Sequence, residues 1–277
     1  MLETKVIHEI SDLRYLSWAR IKGSSGTAGS FLKAYSTLNG KKLYYKLSSF
    51  NDMEGIIGHE CVNEIIADRL LSILGIDHLH YQLQHANIIV HGKAYETYLC
   101  VSEDFKQKGE SKTALETYYE LMHPEGVNML DFCIASGWKN YVREMLAVDF
   151  LILNRDRHGA NIEVLRNPRE KTVVPAPLYD HGLSMILLDD DMKIRNVDVM
   201  EDKRIQCCVG TMSAEKNLGI LRQIGFPIFS RPLTGSDKAV LLEGLDSVIS
   251  PVLAEKTWEL IWKRWCHYEE FRNQTGS

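Results

Sequence analysis

The chain has 277 residues, 45% hydrophobic and 25% charged, which is ordinary for a soluble globular protein and comfortable for two small lobes around a shared cleft. Its 32 basic residues against 37 acidic ones leave a net charge of −5, so composition gives no footprint for direct nucleic-acid binding. No apolar run approaches the ~18–20 residues of a membrane helix, and charges arrive too early in MLETKVIHEISDLRYLSW for a signal peptide; a cytoplasmic location is expected, with signal-less secretion left open.

In chain order, residues 5–20 read as a short helix followed by a turn. KGSSGTAGSFLKAY, dense in Gly and Ser, is a glycine-rich loop. KKLYYKLSS reads as a strand carrying Lys46. Residues 56–74 give a helical pattern through Ile57, Cys61, Ile65 and either Leu70 or Ile73, with Gly75 as the natural terminator. ANIIVHGKAYETYLCVS then reads as two strands with a turn at His91-Gly92-Lys93. From 111 to 153 the pattern is mostly helical, and it ends in the polar cluster NRDRHGAN. Two short strands follow, IEVLR and VVPAPLY, the second running into Asp180-His181-Gly182. The remainder reads as helices, the last carrying Trp258, Trp262 and Trp265. The expected fold is therefore α+β: a small mixed N-lobe over 1–105 and a mainly helical C-lobe over 106–277.

Phosphoryl transfer from ATP needs a loop of backbone N–H groups around the phosphates and a lysine to neutralise them. It also needs an acid to hold that lysine, hard oxygen ligands for Mg2+, and a carboxylate to orient the attacking hydroxyl. The chain offers these parts in that order. Gly26, Thr27, Ala28, Gly29 and Ser30 permit close approach to an anion, although a surface turn has the same composition. Lys46 follows, and Glu60 and Glu64 share one face of the next helix, so either is placed to pair with it. Asp156 with Asn161 five residues on suits a loop that faces both an acceptor hydroxyl and a metal. Asp180 stands at a strand end before Gly182. The stretch from Cys100 to Phe105 joins the lobes, and its backbone at Ser102, Glu103 and Phe105 is expected to meet the adenine edge.

On these residues the sequence resembles a known group. The D-R-H-x-x-N run from Asp156 to Asn161 is similar to the catalytic loop of phosphatidylinositol kinases and of HipA-like protein kinases. PAPLYDHG, residues 175–182, resembles the HipA segment that supplies a metal-binding Asp. Asn63-Glu64 on a helix ending Leu74-Gly75-Ile76 is similar to the HipA family's N-lobe helix, and GSSGTAGSFLKA at 23–34 resembles the phosphate loop of compact HipA-like kinases of the CtkA type, which are serine/threonine kinases. The resemblance implies Asp156 as base, Asn161 and Asp180 as Mg2+ ligands, and Lys46 on phosphate with Glu64 as its partner. His158 is assigned an orienting role first and proton transfer second. A protein substrate is implied, together with an antitoxin or regulatory partner. Two departures stand out. His181 occupies the place where protein kinases have Phe, and the glycine loop begins near residue 23, which leaves out the extra N-terminal subdomain of full-length HipA toxins. HipA-like kinases silence themselves through a serine in the corresponding loop, so Ser24, Ser25, Thr27 and Ser30 are candidates for self-phosphorylation. A phosphate there would add about −1.5 to −2 charges against the ATP phosphates.

Other features have plainer readings. Cys61, Cys100, Cys133, Cys207, Cys208 and Cys266 form no C-x-x-C pair and read as reduced, with Cys207 and Cys208 as two small buried residues. His78, His80, His85 and His91 read as surface residues, because no cysteine or carboxylate joins them at zinc-ligand spacing. Asp189-Asp190-Asp191 reads as a solvated loop and the tryptophans as a core stripe. The competing functions are a phosphatidylinositol-type lipid kinase and a catalytically silent nucleotide-binding partner.

Overall fold

The computed structural model describes residues 3–20 and 31–274. The loop positions Ser24, Ser25, Gly26, Thr27, Ala28, Gly29 and Ser30 lie outside the described residues.

The first half of the chain is rich in sheet. It runs β1 (Lys5–Asp12), β2 (Lys33–Leu38), β3 (Lys41–Lys46), the two-residue strands β4 (Phe50–Asn51) and β5 (Gly55–Ile56), helix α1 (Glu60–Leu74), and the long hairpin β6 (Tyr81–Val90) and β7 (Lys93–Glu103). The second half is mainly helical. It contains β8 (Ser111–Ala114), α2 (Leu115–Met122), α3 (Met129–Ala135), α4 (Lys139–Leu151), β9 (Asp156–Arg157), a 3-10 turn (Gly159–Asn161), β10 (Glu163–Asn167) and β11 (Thr172–Pro175). After these come α5 (Asp191–Arg195), β12 (Gln206–Cys207), α6 (Ala214–Ile224), α7 (Asp237–Leu242) and α8 (Pro251–Asn273).

The five-stranded sheet has the order β1-β6-β7-β3-β2. Two tight turns set its register. Asn39-Gly40 joins β2 to β3 with φ of 51° and 77°, and His91-Gly92 joins β6 to β7 with φ of 46° and 81°. Positive φ at both central residues gives the turn twist that matches paired strands. Side chains then alternate between two apolar layers. Tyr81, Leu83 and Cys100 join the large core around α1, while Ala86, Ile88, Leu99 and Val101 join a smaller one with Leu43, Tyr45 and Leu47.

Residues 5–12 are strand, not the helix their pattern suggests. The β-branched Val6, Ile7 and Ile10 suit a pleated strand, and β1 pairs in parallel with the edge of β6 that β7 leaves open. Helix α1 begins at Glu60 rather than 56, because β4 and β5 pair and Gly58 has φ of 82°; Ile57 consequently lies outside the helix and is exposed. From there α1 is buried nearly all round. It stops at Gly75, whose φ of 74° is left-handed and whose N–H reaches Ser72 O. A Cβ at Gly75 would lie 1.7 Å from Ser230 Oγ. Gly75→Ala is therefore expected to cost about 2 kcal/mol or more, from left-handed strain plus the clash. Urea denaturation would show this, and Gly75→Ala with Ser230→Gly should recover the steric part. Equal stability of Gly75→Ala and the parent would contradict the assignment.

In the helical half, α4 packs against α6 and α8. Ser250 caps α8 by accepting from Leu253 N–H, with Pro251 in the first turn. Arg264 of α8 is buried, and its guanidinium donates to Phe150 O at the end of α4 and to Val199 O and Glu201 O. That fixes the end of α4, from which the polar loop departs. Trp265 is buried and stacks on Tyr268, while Trp258 and Trp262 stack on each other against the core. Asp190 caps α5, Asp189 meets His59 and Asp191 accepts from Ser250, so the acidic run is structural. All six cysteines are free; Cys207 and Cys208 are half-buried rather than buried, being in and beside the short edge strand β12.

Candidate active site

Lys46 is the last residue of β3. Strand alternation turns it away from Tyr45 and Leu47 and towards α1. Its Nζ donates to Glu64 Oε1 at 2.6 Å and to Asp180 Oδ1 at 2.5 Å, and sits 4.7 Å from the Phe31 ring centre. Of the two helix carboxylates, Glu64 takes the lysine. Glu60 turns to Ser49, accepting its backbone N–H at 3.1 Å and its hydroxyl. Glu64 Oε2 also accepts from His181 N–H at 2.8 Å. One fully buried carboxylate thus joins the lysine strand to the segment after Asp180.

The electrostatics follow from this burial. Burial by itself lowers the pKa of Lys46, but Asp180 and Glu64 outweigh it and hold the ammonium well above its usual value. Burial pushes Asp180 up; Lys46, then Lys33, more than reverse this, and its carboxyl is lowered. Burial pushes Glu64 up against the pull of Lys46. His181 is held well below the ordinary imidazole value by burial and then by the positive charge of Arg157. Its ring is therefore neutral, and its Nε2 has no hydrogen-bond partner among the described residues.

The polar loop leaves α4 through Leu153, whose φ is 49°. Asp149, in the last turn of α4, is the post to which it is tied. Asn154 Nδ2 donates to Asp149 Oδ1 at 2.9 Å, and the Arg157 guanidinium grips both Asp149 oxygens at 2.9 Å. The same guanidinium donates to Tyr179 O at 2.9 Å and Asn161 O at 3.3 Å. One buried arginine therefore holds the Asp156 loop and the Asp180 segment together. Within the loop, Asn161 Nδ2 donates to Asp156 O at 2.7 Å and lies 3.3 Å from Asp156 Oδ2. His158 Nδ1 accepts from Ala160 N–H, and its Nε2 is 3.6 Å from Asp156 Oδ1. Asp180 itself has φ of 60°, in the left-handed region.

The structure thus brings Lys46, Glu64 and Asp180 into direct contact, and Asp156, His158 and Asn161 into a loop joined to them through Arg157. Phe31 and Lys33, on the described flank of the glycine loop, reach the Lys46–Asp180 pair. Ser102 and Glu103 lie within β7, where Ser102 pairs with Tyr44 and Glu103 meets Lys41 at 3.0 Å. Phe105 lies beyond β7, 5.5 Å from the Tyr179 ring. Asp149 and Arg157 were not singled out from the sequence. The available signal was one acid in an apolar helix end, AVDFLIL, eight residues before an arginine.

No protein-family model matches the sequence, and no curated protein matches it. Among solved structures, the chain is similar to the Helicobacter pylori proinflammatory kinase CtkA, with a TM-score of 0.63 and 15% identity over 96% of this chain and 98% of that one. It is also similar to a chain of the Shewanella oneidensis MR-1 toxin–antitoxin complex of HipA, HipB and operator DNA. There the TM-score is 0.50 and the identity 17%, over 89% of this chain and 66% of that one. At these identities the likeness is one of fold. The fold is kinase-like, sheet-rich first and helical after, and its neighbours are the HipA-like, CtkA-type proteins that the motifs resemble.

Proposed function

We propose that this chain is an ATP- and Mg2+-dependent serine/threonine protein kinase, with an N-lobe over 1–105 and a C-lobe over 106–277. One observation carries the reading. A buried lysine, a helix carboxylate, a carboxylate in the loop beyond β11 rather than at the strand end the sequence suggests, and an Asp–Asn loop form one connected network through Lys46, Glu64, Asp180 and Arg157. Separate structural turns have no need of that connection.

The donor set fits a hard cation. Asp180 gives one oxygen to Lys46, and Asn161 gives its amide nitrogen to Asp156, so each retains an oxygen of the kind Mg2+ takes. When bound, Mg-ATP supplies the phosphoryl group and the negative charge that Lys46 neutralises. Glu64 keeps Lys46 in position for that charge. Asp156 orients the acceptor hydroxyl and takes its proton, and His158 holds the loop backbone. The backbone from Glu103 to Phe105 receives the adenine, since residues 100–102, Ser102 among them, are paired on both sides within the sheet, and Gly26 to Ser30 with Lys46 receive the phosphates. Phosphorylation at Ser24, Ser25, Thr27 or Ser30 would set a dianion against the same groups. The HipA–HipB complex supports an antitoxin-like protein as the candidate partner, and the proposed site of action is the cytoplasm.

Incubation with labelled ATP and magnesium, against a protein mixture, a lipid panel and no acceptor, tests the reading. Label in protein is expected, and in the no-acceptor arm mass spectrometry should find it between residues 24 and 30. The same chain carrying Asp156→Asn should acquire none. Label in lipid alone would instead favour the phosphatidylinositol-type reading, and nucleotide binding without transfer the silent partner.

A further inference from the structure

Behind the Lys46–Glu64 pair lies a second polar cluster that the proposed chemistry does not use. Asp68 follows Glu64 by one turn of α1 and its side chain is fully buried. His78 is also buried, and His80 is partly exposed. The surface reading of these two histidines is overturned: Gly75 reverses the chain after α1 and returns residues 78–80 along the helix, where the Asp68 carboxylate meets them. His85 and His91 stay apart, pairing with Glu96 and Asp52.

The atoms converge on one point. His78 Nε2 lies 2.7 Å from Asp68 Oδ1 and His80 Nδ1 lies 3.1 Å from the same oxygen. The outer contacts fix the chemistry. His78 Nδ1 is 2.6 Å from Ile76 O. A carbonyl only accepts, so Nδ1 carries a proton and Nε2 is the atom turned to Asp68. Asp68 Oδ2 is held by Tyr81 N–H at 2.7 Å and Thr4 Oγ1 at 2.8 Å, leaving Oδ1 to the imidazoles and to Ser72 Oγ, which lies 3.5 Å from Oδ1 and 3.3 Å from His78 Nε2. Thr4 Oγ1 is also 3.4 Å from His80 Nδ1. A proton on His78 Nε2 bridges that ring alone to Asp68. One divalent cation satisfies all three donors at once.

We propose that Asp68, His78 and His80 bind a zinc-class divalent cation that braces the N-terminal region. Two imidazoles and a carboxylate suit Zn2+, and His78 and Asp68 already have the outer hydrogen bonds that orient metal-binding side chains. Metal–ligand bonds of ~2.0–2.1 Å in a tetrahedral array set ligand atoms ~3.3 Å apart, so the His78 and His80 contacts to Asp68 Oδ1, now 2.7 and 3.1 Å, need to lengthen by about 0.6 and 0.2 Å. The partly exposed side of His80 gives an entry path and room for a fourth ligand, water or Thr4. The placement gives the ion a structural role. It would clamp α1, which carries Glu64, to the 78–81 segment. That segment is itself bonded to the stretch that leads into Asp180, through Leu79 N–H to Leu178 O at 2.8 Å and Asp180 N–H to Tyr81 Oη at 3.3 Å.

The full chain, stripped with a chelator and dialysed, is titrated with zinc chloride or magnesium chloride while thermal unfolding is followed. One zinc per chain by mass spectrometry is expected. At a hundredfold excess over Kd, zinc should raise Tm by about 5 °C or more, with no comparable rise from magnesium. His80→Gln, chosen because His80 is the least buried ligand, should keep the metal-free Tm near that of the parent, lose the zinc-dependent rise and bind zinc at least tenfold more weakly. His85→Gln should behave as the parent. Cobalt(II) should give visible ligand-field bands without a thiolate charge-transfer band, which separates this site from the six free cysteines. Absence of zinc-dependent stabilisation in the parent would leave a proton-mediated His–Asp pair and overturn the proposal. So would an undiminished response in His80→Gln, or a thiolate band.

Discussion

Asp156→Asn is expected to lower the turnover number about 10²–10⁴-fold, the usual contribution of a positioned general base, while ATP affinity stays within about twofold. The split follows from where Asp156 stands. Its carboxylate belongs to neither the Lys46 pair nor the Arg157 grip; it faces Asn161 Nδ2 at 3.3 Å and His158 at 3.6 Å, and remains partly exposed. Asparagine keeps the size and the backbone contacts but cannot take a proton. Single-turnover kinetics and calorimetry with Mg-ATP measure the two quantities separately. A variant with parental turnover would remove Asp156 from the chemistry, and one that loses nucleotide binding in proportion would move it to the nucleotide site.

Arg157→Met is expected to be the most damaging single change to the fold of the site, destabilising the protein by about 3–5 kcal/mol. That is the usual cost of removing one partner from a buried ion pair. Asp149 would be left inside the core with only Asn154 Nδ2 beside it, and Tyr179 O and Asn161 O would lose their donor. The companion change separates charge from geometry. Asp149→Leu with Arg157→Met removes the stranded carboxylate and should recover most of the stability. It should not restore activity, because the donor that joins Asn161 O to Tyr179 O, next to Asp180, is gone, and Arg155, which bonds Leu183 O and Met185 O, holds only the segment further on. Urea denaturation of the four proteins gives the coupling. A loss below about 1 kcal/mol for Arg157→Met would mean that the guanidinium is not the tie described here.

The parts of this site that could be read from the chain are those whose neighbours in sequence are also neighbours in space. The Asp156–Asn161 loop is local, bounded by apolar segments, and its order and spacing survive folding intact. The β6–β7 turn at His91-Gly92 was legible for the same reason, since positive φ is a property of the turn itself. Where two elements must meet, spacing is silent. Glu60 and Glu64 share a helix face, and only the approach of Ser49 on one side and Lys46 on the other separates their roles. Asp68 reads as an ordinary helix acid until Gly75 turns the chain back and carries His78 to it. Asp149 reads as an interruption of an apolar run, and Arg157 as one member of a polar loop, until their side chains are seen to close on each other. Residues 5–12 were misread because their conformation is decided by the edge of β6, which lies far along the chain.

That distant pairing has a consequence for the order in which the protein is made. Lys5 lies opposite Gln82 in parallel β1 and β6, whereas β6 and β7 are separated by a two-residue turn. At ~5–20 residues per second of synthesis, β6 is complete roughly 4–16 s after β1, and β7 follows within about 1–3 s. When the ten-residue strand β6 emerges, the partner for one edge has long been available, and the partner for the other arrives almost at once. The strand most exposed to wrong pairing, carrying Ala86-Asn87-Ile88-Ile89-Val90, is thereby left with an open edge only briefly. Moving β1 to the far end of the chain would reverse that schedule and keep the edge of β6 unpartnered until synthesis was finished.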